Sequence, residues 1–176
     1  MLDPEMELGA LESAPDARAA VEDNKVLGAW RRCTALPFGG TWIFSRLFAI
    51  KTPYAASIKA RFVSVEPNRV SLTIPNRRAV RNHLGTVHAT ALCTGLETAA
   101  GTLAEATIPA GKRWIPRGME VNYPARAEGD ITCIAVTRAD LWSSGEPDVR
   151  VTVFGLRADG GIVIEGSVKL WVTDRR

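Results

Sequence analysis

The sequence predicts an α+β domain in which an antiparallel sheet curls around one long, enclosed helix. Three observations carry this. Short segments of alternating apolar and polar residues recur between residues 58 and 172, as half-buried strands require. One proline-free stretch from Thr86 to Ala104 is rich in Ala, Leu and Thr, with Ala89, Ala91, Gly95, Ala99, Ala100 and Gly101 spread around its circumference. A helix that is small and apolar on all sides expects to be enclosed. The order is a strand pair, that helix, then about four strands, which favours α+β over alternating β-α units.

A chain of 176 residues is one domain's worth, large enough to bury a core without disulfides or metal. With 46% hydrophobic and 23% charged residues it is an ordinary globular composition, which excludes long disorder and collagen-like repeats. Cys33, Cys93 and Cys133 are odd in number, widely spaced and without a CxxC pair. That pattern suits a reducing compartment, with thiols acting as small apolar groups. The richest apolar run, Thr41 to Ile50, is too short to cross a membrane and carries Arg46. The acidic start of the chain is the opposite of a secretory leader. A cytoplasmic protein is expected.

Taken in order, residues 1–24 hold seven acids against Arg18, a net charge of −6. With no aromatic residue, they read as an acidic extension. The whole chain is +3, so residues 25–176 carry +9 and can attract anions, among them nucleic acid, acidic lipid and phosphorylated cofactors. Residues 25–50 read as two short helices, broken by Pro37 and Gly39-Gly40 and ended by Thr52-Pro53. Strands follow at Ile58, Ala60, Phe62 and at Val70, Leu72, Ile74, stopped by Pro75. The central helix is expected over 86–104. After it come Met119, Val121 and Tyr123, then the apolar run 131–136, then Val149, Val151 and Val153. Ala158-Asp159-Gly160-Gly161 is a turn, and the last strand carries Ile162, Ile164, Val168, Leu170 and Val172. That turn makes the final pair an antiparallel hairpin.

One residue of the central helix stands out. Glu97 has Leu92, Cys93, Leu96, Ala100 and Leu103 for neighbours and no Lys or Arg within the helix to pair with. If enclosed, an unpaired carboxylate is driven toward its neutral form, the state that suits a general base or nucleophile. If Glu97 faces solvent on an unrecognised side of the helix, or makes a structural hydrogen bond, it is ordinary. Spacing alone leaves both readings open. The helix entry, Arg81-Asn82-His83-Leu84-Gly85-Thr86-Val87-His88-Ala89, is the second feature. Thr86 or Asn82 can cap it, Gly85 permits a tight turn, and free N–H groups at a helix start attract a negative oxygen. Every helix has such a start, so the signal is weak alone. His88 and Glu97 are nine residues apart and point to opposite sides of a helix. They cannot serve one site within one chain; a two-fold partner is needed.

The stretch Asn82…Gly85…His88-Ala89…Glu97-Thr98-Ala99-Ala100-Gly101 resembles the hotdog-fold acyl-CoA thioesterases of the phenylacetate-pathway (PaaI-like) type. Those carry an Asn, a Gly, a His-Gly-Gly and, nine residues after the His, an Asp or Glu before a small-residue run. The similarity spans roughly residues 50–174, and Pro53-Tyr54 with Asn82–Ala89 looks like a bacterial branch, the domain-of-unknown-function family 4442. The resemblance implies a hotdog domain over 25–176, active as a homodimer or homotetramer. Its substrate would be an acyl-CoA or acyl-carrier thioester, with coenzyme A entering only as part of that substrate and no metal. Glu97 would attack the thioester or activate water. The Ala89 N–H would polarise the carbonyl, Asn82 and His88 would position substrate or water, and Gly85, Thr86 and Thr90 would border it. One departure is that His-Gly-Gly has become His88-Ala89-Thr90. The added side chains narrow the approach, which leaves a hotdog that binds an acyl thioester or fatty ligand without turnover as the alternative. A hydratase on the same fold is a weaker reading, because its His and carboxylate motif is missing.

Arg77, Arg78 and Arg81 before the helix, and Lys112, Arg113 and Arg117 after it, are candidates for coenzyme A phosphates or plain surface charges. Trp114, Tyr123 and the aromatic residues of 38–48 suit an acyl tunnel, the core or an interface equally. Ala110-Gly111-Lys112-Arg113 lacks the Gly and Ser/Thr of a phosphate loop, with Ala106 and Arg113 in their places. There is no zinc-ligand spacing and no GxSxG elbow. The tryptophans form no stacking series with the basic residues, so no nucleic-acid partner is expected.

Overall fold

The computed structural model describes residues 24–175. The acidic extension expected over residues 1–24 lies outside them, Asn24 excepted. Asn24 begins the first helix, its Oδ1 accepting the N–H groups of Val26 at 3.0 Å and Leu27 at 3.1 Å. Helix α1 (Lys25–Thr34) and helix α2 (Gly40–Lys51) are separated by Pro37 and by Gly39 at φ +71°, where the sequence places the break. Six strands follow: β1 (Arg61–Glu66), β2 (Arg69–Ile74), β3 (Lys112–Asn122), β4 (Ile131–Val136), β5 (Asp148–Leu156) and β6 (Ile162–Asp174). Between β2 and β3 runs the central helix α3 (Ala89–Thr107).

The strands form one antiparallel sheet in the order β1-β2-β4-β5-β6-β3, with β5 and β6 paired as the expected hairpin. The sheet folds around α3, whose Leu92, Leu96, Ala99, Ala100 and Leu103 are buried with Leu72, Ile74, Ile131, Val151 and Leu170 of the strands. Truncating one such Leu to Ala costs about 2–5 kcal/mol. Two glycines set the spacing. A Cβ on Gly95 would lie 2.5 Å from Ile74 and 2.8 Å from Cys133, so only glycine lets the helix seat this close to the sheet. A Cβ on Gly166 of β6 would lie 2.0 Å from the Glu120 carbonyl oxygen, where β3 crosses closely against β6. The three threonines on the enclosed side of α3 need no outside partner. Thr94, Thr98 and Thr102 each donate to the carbonyl four residues back, at 2.8, 2.6 and 2.8 Å.

Three boundaries differ from expectation, each for a local reason. Ile58 is not in a strand; it is buried in a 3-10 turn (Ala55–Ile58), and Lys59 at φ +50° delays β1 to Arg61. The central helix covers 89–107 rather than 86–104. Its start is held back by a closed loop described below, and its last turn continues because Ala106 is fully buried, until Ile108-Pro109 ends it. Strand β3 begins at Lys112, well before Met119, because a bulge between Pro116 and Gly118 interrupts its alternation.

The two edge strands are treated differently. Against β1 lie α1 and α2, through Phe44, which meets Trp30 and Phe62 edge-on at 5.1 Å each, and through Phe48 on Phe62 at 4.8 Å. The Ser45 hydroxyl accepts the Phe62 N–H at 2.9 Å, satisfying a donor that this edge would otherwise present bare. Strand β3, eleven residues long, has β6 on one side and, among the described residues, no strand on the other.

Candidate active site

The entry to α3 is fixed by a loop that closes on itself. Asn82 accepts the N–H groups of Leu84 (3.0 Å) and Thr86 (3.2 Å) on its Oδ1, and its amide donates to Thr86 Oγ1 at 2.9 Å. The Asn82 N–H also donates to the Thr86 carbonyl at 2.9 Å, and Gly85 turns the chain at φ +79°. These bonds occupy both side chains expected to cap the helix. The cap is His88 instead: its Nδ1 accepts the Thr90 N–H at 3.1 Å, with the Thr90 hydroxyl 2.8 Å from the same nitrogen. Backbone bonds from Val87 N–H to Ala127 O (2.9 Å) and from His88 N–H to Val80 O (2.8 Å) hold the entry from behind. Asn82, Gly85, Thr86, His88, Ala89 and Thr90 are thereby brought together. Among the described residues the Ala89 N–H has no acceptor, and Ala89 is exposed.

Glu97 stands apart from this cluster, two turns along the helix. Of the two readings open for it, the single chain takes the exposed one: Glu97 faces out, on a stripe with Thr90, Cys93, Gly101 and Glu105. Residues spaced by three and four repeat on one face, and this is the side of α3 that the sheet leaves uncovered. Among the described residues no Lys or Arg forms an ion pair with Glu97. Eight residues separate it from Ala89, a rise of about 12 Å along the axis. The carboxylate and the free N–H of one chain therefore cannot meet on one small substrate.

Strand β3 borders the stripe with side chains that sequence reasoning left undecided. The indole of Trp114 rests on Gly101, where a Cβ would lie 3.0 Å away, and its Nε1 donates to Glu105 Oε1 at 2.9 Å. Tyr123, at the other end, meets Cys93 with 3.1 Å between Oη and Sγ. Glu97 is one turn from each contact, with part-buried Met119 and Val121 on the strand between them. Cys93, counted in the sequence only as an apolar neighbour of Glu97, is a polar member of this stripe, and its position four residues before Glu97 is the signal that places it there. The Cys93 hydrogen bond, then burial and the neighbouring thiol, push Tyr123 up to about 12. Burial and Cys93 push the Cys133 thiol up to about 12 as well.

The basic candidates are dispersed. Arg81 is tied to Asn76, its Nε donating to Oδ1 at 2.6 Å and its Nη2 to the carbonyl at 3.0 Å. Arg113 is next to Trp114 on β3 and so takes the opposite face of the sheet, where its Nε reaches Thr173 Oγ1 at 3.3 Å. Lys112 pairs with Asp174 at 2.8 Å and Arg117 stacks on Trp171 at 3.6 Å. Arg77 donates to the Ser57 carbonyl.

Residues 40–172 match the family model described as Domain of unknown function (DUF4442). The chain belongs to this family. The match takes in α2, ahead of the residue-50 boundary that the sequence motifs suggested. Among solved structures, a genomics protein, APC5556, is 37% identical, with a TM-score of 0.74 over 85% of this chain and 98% of that one. A Pseudomonas aeruginosa protein of unknown function, described as a probable thioesterase, superposes with a TM-score of 0.68 at 23% identity, over 80% and 97% of the two chains. Thioesterase HI1161 of Haemophilus influenzae gives 0.64 at 12% identity, over 76% and 90%. The family member therefore has the α+β hotdog fold that these structures share. No curated protein matches the chain.

Proposed function

We propose that this protein hydrolyses an acyl-CoA or acyl-carrier thioester at a site shared between two copies. The copies would pair along the open edge of β3, with the uncovered stripe of α3 facing its symmetry mate. The observation that carries the reading is Glu97 at the middle of a stripe of α3 that the sheet leaves uncovered, beside the eleven-residue β3, whose outer side has no strand among the described residues. In such a pair the Ala89 N–H of one copy would donate to the thioester carbonyl oxygen as negative charge develops there, a hydrogen bond worth about 10²–10³ in rate. Glu97 of the other would take a proton from water as the water oxygen adds to the carbonyl carbon. The intermediate then collapses, the carbon–sulfur bond breaks and the thiolate takes the proton, leaving a carboxylic acid and a thiol. Direct attack by the carboxylate, with water cleaving the resulting anhydride, gives the same products. Asn82 and Thr86 keep the loop closed, His88 holds Thr90, and Gly85 and Thr90 border the substrate. Arg81, next to the loop, is the cation offered to the phosphates of coenzyme A, whereas Arg113 lies on the opposite face of the sheet. The reaction needs no cofactor beyond that substrate, and the cytoplasm is its expected setting.

The alternative, a module that holds an acyl thioester without turning it over, has one observation in its favour. The Thr90 N–H is already taken by His88, so the helix start offers fewer free donors than a bare one. Thiol release from short, long and aromatic acyl-CoAs separates the two readings. Turnover by the wild-type protein that falls by about 10²–10⁴ in Glu97→Ala, with folding and assembly intact, supports hydrolysis. No turnover of any substrate by the wild type, with acyl-CoA binding retained, makes the protein a binder.

A further inference from the structure

Residues 25–65 contain seven cations, Arg31, Arg32, Arg46 and Lys51 among them, and not one Asp or Glu. All seven are exposed, and among the described residues none is in an ion pair. The same segment also displays large apolar side chains to solvent: Phe38 is 88% exposed, Ile50 and Tyr54 76%, Trp42 59% and Leu47 51%. These fall together. Phe38 is in the loop leading into α2, Trp42, Arg46 and Ile50 recur every fourth residue along the outer side of α2, and Tyr54 follows its end. The Arg46 guanidinium lies over the Trp42 ring, 5.3 Å from its centre. The inner side of α2 is already spent on Phe44 and Phe48 against β1. A surface helix is polar on its outer side; α2 carries large apolar residues on both, with Arg46 set among those outside.

Charge decides what this face meets. A second copy docked face to face would set seven cations against seven. An acidic protein would answer the cations but gives no apolar depth for Phe38 and Ile50. An anionic bilayer answers both at once, since aromatic rings settle at the headgroup level while Lys and Arg reach lipid phosphates. No helix among the described residues is long and apolar enough to span a membrane, so the contact is with the surface. We infer that the outer face of α1 and α2 docks on an anionic phospholipid bilayer, with Phe38, Trp42 and Ile50 inserted at the interface. This surface lies at the β1 edge, the far side of the sheet from β3, and it stands whether or not the protein hydrolyses thioesters.

Co-sedimentation of the full chain with vesicles of phosphatidylcholine, with and without phosphatidylglycerol, tests it. Binding should be at least about tenfold tighter to the anionic vesicles and weaken as salt is raised. Phe38→Asp and the pair Arg31→Glu with Arg32→Glu should each weaken it about tenfold. All three positions are exposed, so circular dichroism should match the wild type. Absence of binding to anionic vesicles, or undiminished binding by Phe38→Asp, overturns the inference. So does light scattering in which Phe38→Asp splits a larger assembly of a chain that ignores vesicles, or binding of an acidic carrier protein, but no vesicle, that the same substitution abolishes.

Discussion

The two edges of the sheet show what this chain seals and what it leaves open. At β1, two helices cover the strand with an aromatic cluster, and Ser45 answers the Phe62 N–H. At β3, a strand nearly twice as long carries Ile115 at 56% exposure, with Tyr123 just past its end at 50%, and has no neighbour on its outer side among the described residues. A long bare edge is ordinarily an aggregation hazard, and chains blunt it unless pairing there is used. Pro116 removes only one donor from it. The covered edge thus belongs to the fold of one chain, and the open edge, next to the Glu97 stripe, is where the proposed pairing of two copies would use it.

The comparison is broken most directly by matched charges on the two edges. Ile115→Asp should convert the assembly to monomers in light scattering and lower thiol release about 100-fold or more, although Glu97 is untouched. Val63→Asp, at an equally exposed position on β1, should change neither. If both variants assemble like the wild type, the edges are not different in kind. Next in size is the seal itself. Phe44→Ala empties the centre of the aromatic cluster and should cost about 3–5 kcal/mol, lowering Tm by about 6–20 °C in calorimetry while the assembly persists below the transition. The smallest effect is at Tyr123. Its proton is held in the folded state to about 12, against 10.0 for the free side chain. The contribution of this group to stability is therefore whole below pH 10 and is lost as pH rises from there toward 12. An ultraviolet titration of the phenol should show the raised midpoint in the wild type and one nearer the free value in Cys93→Ala.

Much of the fold is legible where local chemistry and tertiary context agree. The small-residue circumference of α3, the Pro37 and Gly39 break and the Ala158–Gly161 turn each act through their immediate neighbours. The misplaced boundaries arise where a distant or irregular feature intervenes. Trp114 and Met119 both line the inner side of β3, five residues apart, an odd spacing that only the bulge at Pro116–Gly118 reconciles with a strand. The start of α3 moved to Ala89 because Asn82 spends its side chain on its own loop, which the sequence allows without requiring. The site was half legible. The composition of the Glu97 stripe was present in the spacing of Thr90, Cys93, Gly101 and Glu105, but a stripe of small and polar groups on a helix enclosed elsewhere becomes visible only once the sheet leaves it bare. The contacts of Trp114 and Tyr123 depend on how β3 crosses the helix, and periodicity carries no information on that.

The central claim is that Glu97 of one copy and the helix start of another make one site, and a mixing experiment tests it most directly. Glu97→Ala removes the carboxylate, and Ala89→Pro removes the N–H at a first helical position where proline is tolerated. Each variant alone should be inactive toward the thioester that the wild type cleaves. Unfolded or subunit-exchanged together in equal amounts, they should recover about a quarter of wild-type turnover, because half the dimers are mixed and each mixed dimer holds one intact site. Mixtures that form dimers yet remain as inactive as their parents would contradict a site shared between copies.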